Sequence, residues 1–316
     1  MTDIGPFLKK YGVYIAVILL IVFNLIVTPN FISMRTVSIN FSQVVMIVIV
    51  AVGMTLVIAT GGIDLSVGAL MAIAGALSPM FFATASPENL YWGIALGILI
   101  PVLVAGAFGL FNGFLITQFG IQPIIATLIL FIAGRGIAQV WTNGDLQVFK
   151  VPEFQAIAIG QVLWLPFEVY IMFTLVIICA FILSKTVFGR QVLAVGGNEA
   201  AALLAGVPVR RVKLLVYMIS GLCSGIAGLL FIAKNSAADA NLIGMGLELD
   251  AIAAVAVGGT LLSGGRATII GTLMGALIIQ LVKATLLANG VPDAAALVVK
   301  AGLIILAVWL QRQEQA

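Results

Sequence analysis

Lys185–Lys213 reads K-T-V-F-G-R-Q-V-L-A-V-G-G-N-E-A-A-A-L-L-A-G-V-P-V-R-R-V-K, a basic, glycine-broken stretch between two long apolar segments, Leu165–Ser184 and Leu214–Lys234. After Gly196-Gly197, the run Asn198–Ala205 predicts a short helix, with Asn198 as its cap and Glu199 in the favoured first turn. Gly206-Val207-Pro208 ends it. An interfacial helix would carry Trp or Phe on its apolar face. This one is rich in alanine, which suits a groove on another protein better. The stretch implies a lipid-soluble bundle with one surface reserved for a soluble partner.

The rest of the chain supports that division. Of its 316 residues 62% are hydrophobic and 9% charged, against about 25% charged in a soluble domain. Such a chain cannot cover a water-facing surface. Apolar stretches near the roughly 20 residues of a bilayer-spanning helix recur throughout. They lack the alternation of outer-membrane strands. About ten segments are expected: Tyr11–Val27, Ile39–Ala59, Val67–Ala83, Tyr91–Ile116, Gln122–Val140, Leu165–Ser184, Leu214–Lys234, Leu249–Leu262, Ala267–Leu287 and Leu297–Leu310. The eighth is too short to cross comfortably and is expected to be broken or re-entrant, so the fold class is an all-α polytopic bundle forming a single domain over 1–316. Tyr11–Val27 follows Lys9 and Lys10 like a signal peptide, but it is too long for one and serves as the first anchor.

Basic residues in short loops set the expected orientation. Lys9, Lys10, Lys185, Arg190, Arg210, Arg211, Lys213, Arg266 and Arg312 fall on one side, assigned to the cytoplasm with both termini. Glu88, Asp145, Glu153, Asp239, Glu248, Asp250 and Asp293 fall on the other, and Arg35 and Lys150 go against the rule.

Ala51-Val52-Gly53-Met54-Thr55-Leu56 is echoed by Ala256-Val257-Gly258-Gly259-Thr260-Leu261, and each is followed by a glycine pair, Gly61-Gly62 or Gly264-Gly265. A true repeat would imply two pseudo-symmetric halves with a path between them. Around the first pair, Asp64 is placed to cap the next helix, and the break lies near a pathway or gate. Gly106, Gly109 and Gly113 share one helix face, and Gly221, Gly225 and Gly228 another, both suited to close helix packing. Cys179 and Cys223 lie inside apolar spans and read as core residues.

Polar side chains within spans usually face a bundle interior or a water-filled cavity. The candidates for a translocation path are Asn40, Gln43, Thr60, Asp64, Asn112, Arg135 and Gln280. The side chains within the spans, Asn40, Gln43, Asn112, Arg135, Gln139 and Gln280, read as mostly amides with a single cation and no mid-span carboxylate apart from Glu168 near one end, which suits hydroxyl-rich neutral solutes and not a proton relay. Each residue serves equally as interhelical glue. With no histidine in the chain, His-based catalysis and His-metal sites are excluded. Leu262-Ser263-Gly264-Gly265 spells the signature of ABC ATPases, but no P-loop accompanies it, so it reads as a turn.

The motifs Gly53–Ile58, Gly61–Ala69, Gly196–Ala201, Leu249–Val255 and Gly258–Thr260 with Gly264-Gly265 together resemble the ribose-type permease family of bacterial ABC importers, in family order over nearly the whole chain. Ala59–Gly62, Gln122–Leu128 and Ala133–Gly136 look closest to galactofuranose permease subunits. The resemblance implies a non-catalytic inner-membrane subunit that moves a monosaccharide. Its implied partners are ABC ATPase subunits, a periplasmic sugar-binding protein and a second permease subunit, within membrane lipid. It makes Lys185–Lys213 the cytoplasmic coupling loop, with Gly197, Asn198, Glu199, Ala200, Ala201, Ala202, Arg210 and Arg211 as the coupling residues. No cofactor, metal, catalytic residue or nucleic-acid partner is expected. Two rivals are an ion-gradient-driven secondary transporter, which would need intramembrane carboxylates or a cation site, and a lipid-acting membrane enzyme, which would need clustered interfacial acids, His or Cys.

Overall fold

The computed structural model describes residues 4–292, 294–302 and 305, with side chains from residue 12 onward. In chain order the helices are α1 (Ile4–Val27), α2 (Met34–Ala59), α3 (Val67–Leu77), α4 (Pro79–Phe82), α5 (Leu90–Phe119), α6 (Pro123–Thr142), α7 (Pro152–Ile159), α8 (Phe167–Lys185), α9 (Val187–Gly197), α10 (Glu199–Leu204), α11 (Val209–Asn235), α12 (Leu247–Val257) and α13 (Ile269–Ala288). Residues 294–302 are helical again. The last expected span, Leu297–Leu310, lies mostly outside the described residues. Two antiparallel ribbons complete the chain: β1 (Gln147–Val148) pairs with β4 (Ala237–Ala238), and β2 (Gln161–Val162) with β3 (Leu165–Pro166).

Among the described residues α2, α5, α6, α8, α11 and α13 are each long and apolar enough to cross a membrane. The structure is thus the expected polytopic helical bundle. α2 forms its axis. Ser33 starts that helix by accepting from the Thr36 amide at 3.1 Å, and every residue from Val44 to Ala59 is buried. A helix apolar on all faces has no water-facing side, so it must be enclosed by others. α8, α11, α12 and α13 enclose it.

α5 and α11 meet along the two expected glycine faces. A Cβ at Gly109 would lie 2.3 Å from the Tyr217 carbonyl oxygen, and one at Gly221 2.4 Å from that of Ala105. Such backbone-to-backbone approach replaces the hydrophobic driving force that lipid does not supply. Cys179 and Cys223 are free and buried, as core residues.

Two helices are shorter than a full span and begin inside the bundle, and this is the decisive feature of the architecture. α12 has 11 residues, in line with the short eighth segment. α3 also has 11, and Ser78 keeps the right-handed helical conformation (φ −59, ψ −49) that carries the chain into α4, so the apolar helix expected over Val67–Ala83 is formed through Phe82, with the N–H-lacking Pro79 interrupting its hydrogen-bond ladder. The chain from Thr60 to Ser66 forms the break between α2 and α3. It runs without helix along α11: Gly62 lies against Tyr217, Asp64 bonds Ser220, and Met71 packs on Gly228. From Tyr217 to Gly228 is roughly 16 Å of helix axis. α3 therefore begins well inside the bundle, at a point where the backbones of Gly68 and Gly244 touch. The loop leading to α12 arrives there from the opposite end, and the two helices depart in opposite directions. Non-helical backbone at that depth is tolerated because protein surrounds it.

The sequence echo is carried into structure only in part. Ala51–Leu56 is helix interior, whereas α12 ends at Val257 and leaves Gly258–Leu261 outside. What the two copies share is a glycine turn leading into a helix.

Candidate functional site

Those glycine turns converge. The Gly265 amide donates to the Ala59 carbonyl at 3.0 Å, joining the α12–α13 turn to the end of α2. Gly196, in the last turn of α9, lies on this bond: a Cβ there would come 1.8 Å from the Ala59 oxygen and 2.5 Å from the Gly265 nitrogen. Gly264 sits at φ +89, a left-handed conformation that suits glycine, with Gly61 and Gly196 against it. The Leu262–Gly265 tetrapeptide is thus a turn, as expected, and forms one third of a three-way backbone joint.

α10 stands beside this joint. The Asn198 Oδ1 accepts from the Ala201 amide at 2.9 Å, fulfilling the expected cap, and Glu199 pairs with Lys213 at 2.6 Å. Gly197, Ala200, Ala201, Arg210 and Arg211 are exposed, and Arg210 makes only a long contact to Gln118. Ala202 is different: it is 5% exposed and packs inward, so it holds the helix down and presents nothing outward. The outward face carries instead Leu203 and Leu204, the latter 90% exposed. The alanine-rich pattern of the segment does not mark this face; its sequence signal is the adjacent pair Leu203-Leu204.

Behind α10 a cavity of about 170 Å³ is lined by Thr60, Gly61, Gly62, Glu199, Lys213 and Tyr217. Deeper still is a buried polar cluster. Asp64 is not the cap of α3; its Oδ1 accepts from the amide and hydroxyl of Ser66 at 3.0 and 2.6 Å, and its Oδ2 from the Ser220 hydroxyl at 2.8 Å. Asn112 donates to the Ser66 hydroxyl at 2.9 Å. Thr60 turns back to the Val57 carbonyl. Asp64 and Asn112 are fully enclosed, and they tie α5 and α11 to the segment between α2 and α3.

The remaining path candidates lie elsewhere. Gln280 donates to the Gln43 carbonyl oxygen at the wall of a half-open cavity of about 560 Å³, bordered by α2, α11, α12, α13 and the 294–302 helix. Its polar lining is Gln43, Gln280, Asp250, Lys283 and Lys300, and its size falls in the usual range of ligand pockets, roughly 300–1,000 Å³. Lys300 is ion-paired with Asp250. Arg135 serves a different purpose, donating to the carbonyls of Ala240 and Ile243 at 2.9 and 2.6 Å and so anchoring the loop that enters α12. Asn40 bonds back to the Thr36 carbonyl and faces an apolar cavity that Gln280 also lines.

The expectation of a single intramembrane cation is therefore corrected. Lys283 lies within α13, Asp250 within α12, and Lys300 within the last helix. Charged residues inside apolar spans were the signal for this cavity. Among the described residues no cluster of metal-ligating side chains occurs.

A bundle of broken helices with a capped surface helix at one end and a mainly apolar cavity carrying a few amide and charged groups defines a membrane permease component. The family model described as branched-chain amino acid transport system / permease component matches residues 36–308, and the chain belongs to that family. It is 42% identical over 84% of its length to the galactofuranose transporter permease protein YtfT of Escherichia coli, covering 76% of that protein. It is 38% identical over 95% of its length to the ribose import permease protein RbsC of Escherichia coli, covering 93% of it. With the L-arabinose ABC transporter permease protein AraH of Azospirillum brasilense the identity is 35% over 95% of this chain and 87% of the other. No solved structure matches the chain.

Proposed function

We propose that this chain is the transmembrane subunit of a bacterial ABC importer for a monosaccharide, acting as a single unit in the inner membrane with both termini in the cytoplasm. The relatives named for galactofuranose, ribose and arabinose support the sugar class. One observation carries the mechanism. Gly196 seats the α9–α10 surface on both the end of α2 and the α12–α13 turn, and α2, α12 and α13 wall the 560 Å³ cavity. A displacement at α10 is thereby delivered to three walls of the cavity.

On this reading ATPase subunits grip the apolar face of α10, Leu203 and Leu204 included, and a second permease subunit and a sugar-binding protein complete the assembly. Closing the ATPases shifts the bundle between outward- and inward-open populations. Moving such an equilibrium from 1:99 to 99:1 takes about 5.5 kcal/mol of differential binding, so the joint must be stiff. The amide, carboxylate and ammonium groups of the cavity offer donors and acceptors to sugar hydroxyls, and the chain itself performs no bond chemistry.

Co-expression with candidate ATPase and binding-protein subunits tests this reading. Stable co-purification and ATP hydrolysis stimulated by a sugar-loaded binding protein, across a panel of furanoses and pyranoses, is the expected result. Absence of any ATPase association would overturn it.

A further inference from the structure

The ribbon β2–β3 is unusual in both backbone and composition. Its two-residue loop is Leu163-Trp164, with φ +47 and +69. Positive φ at both central residues is the pattern of a type I′ turn, for which Asn-Gly is the favoured pair. Bulky L-residues enter that region against steric opposition, and surrounding structure or a ligand must compensate. Neither side chain is tucked into the protein: Leu163 is 79% and Trp164 49% exposed.

The neighbourhood is apolar and uncharged. Ala156–Phe167 reads A-I-A-I-G-Q-V-L-W-L-P-F, with Gln161 as its one hydrophilic side chain. Ile159, Val162 and Phe167 are exposed beside Leu163 and Trp164. The ribbon is held firmly, since the Phe167 amide donates to the Gly160 carbonyl at 2.7 Å and the Tyr170 hydroxyl to the Val162 carbonyl at 2.8 Å. It therefore sits on the first turn of α8, whose outward residues Ile177, Ile178 and Phe181 continue the same exposed apolar surface.

We infer that this ribbon is a membrane-interface anchor that seats Leu163 and Trp164 among lipid headgroups and upper acyl chains. A docking face for a soluble protein carries a polar rim and hydrogen-bonding groups, and this segment has almost none. Indole suits the bilayer boundary because its ring is apolar while its N–H reaches the wet layer. The surface beside the ribbon is a shallow, open depression bordered by Ala156, Ile157, Gly160, Gln161, Val162 and Phe167. The anchor fixes the rotation and height of α8, and it stands independently of the transported solute.

The test uses the chain's four tryptophans. With Trp92, Trp141 and Trp309 replaced by Phe, Trp164 reports alone from phosphatidylcholine vesicles. Lipids brominated near the glycerol end of the acyl chain should quench its emission more strongly than lipids brominated near the methyl end. In the natural background, the double change Leu163→Asn/Trp164→Gly gives the loop its preferred residues. It should leave unfolding temperature in detergent unchanged or raised, while removing the headgroup-proximal part of the total quenching. Emission that responds to neither brominated lipid overturns the inference. So does shielding of Trp164 only by a soluble partner protein, which would assign the ribbon to protein docking.

Discussion

Gly196 and Ala59 touch so closely that no side chain fits between them, because a Cβ on Gly196 would stand 1.8 Å from the Ala59 carbonyl oxygen. A Cβ on Gly197, one residue on, would meet nothing within 4 Å. Gly196→Ala must therefore push α9 away from the joint or break the Gly265–Ala59 hydrogen bond. Overpacking of this kind is destabilising by about 1–3 kcal/mol, and Gly197→Ala should be far milder. Uptake in cells and unfolding temperature in detergent separate the two: Gly196→Ala loses transport, whereas Gly197→Ala keeps most of it.

The outward face of α10 calls for the opposite behaviour. Leu204 is 90% exposed, and surface substitutions away from special features change stability by about ±0.5 kcal/mol or less. Leu204→Asp should leave the isolated subunit's thermal unfolding unaltered while weakening its co-purification with an ATPase. Equal loss of subunit stability would make α10 a packing element and no handle.

The buried Asp64 cluster answers a different question. Asp64→Ala strands the buried Ser66 amide and the buried hydroxyls of Ser66 and Ser220. Each buried orphan costs about 1–3 kcal/mol. Folding yield and unfolding temperature should fall sharply, with Asp64→Asn falling less because it retains an acceptor.

In the larger cavity, Asp250 and Lys300 are both about three-quarters buried and paired. Removing one partner leaves a charge uncompensated in a poorly solvated site, so Asp250→Asn and Lys300→Met should each depress uptake and stability. Their combination should recover stability, giving a favourable coupling in a double-mutant cycle of about 0.5–3 kcal/mol. Stability that recovers while uptake stays low would place the pair on the solute path; additive losses would deny that they act together.

How these sites were distributed between sequence and structure has a physical basis. The Asn198 cap, the glycine faces of α5 and α11 and the shortness of α12 are local properties, set by neighbours within a turn or two, and they were legible. Asp64 was placed correctly at a break but given the wrong bonds, because an aspartate two residues before a serine can bond that serine or cap the helix beyond it. Arg135 stood out as a cation in a span, yet its partners, Ala240 and Ile243, lie more than a hundred residues away, and only the folded chain brings them together. The charges at Asp250, Lys283 and Lys300 were visible as charges, but their convergence depends on how α12, α13 and the last helix pack. Nothing in Leu163-Trp164 announces a left-handed turn, since its residues are among the least suited to one.

The most direct measurement is solute uptake by proteoliposomes holding this chain with its ATPase and a sugar-loaded binding protein, with ATP supplied and a protonophore present. Accumulation that needs ATP, persists without an ion gradient and is abolished by Gly196→Ala in an intact complex is the predicted result. Accumulation by the chain alone, or accumulation that collapses with the proton gradient while ATP remains, would contradict it.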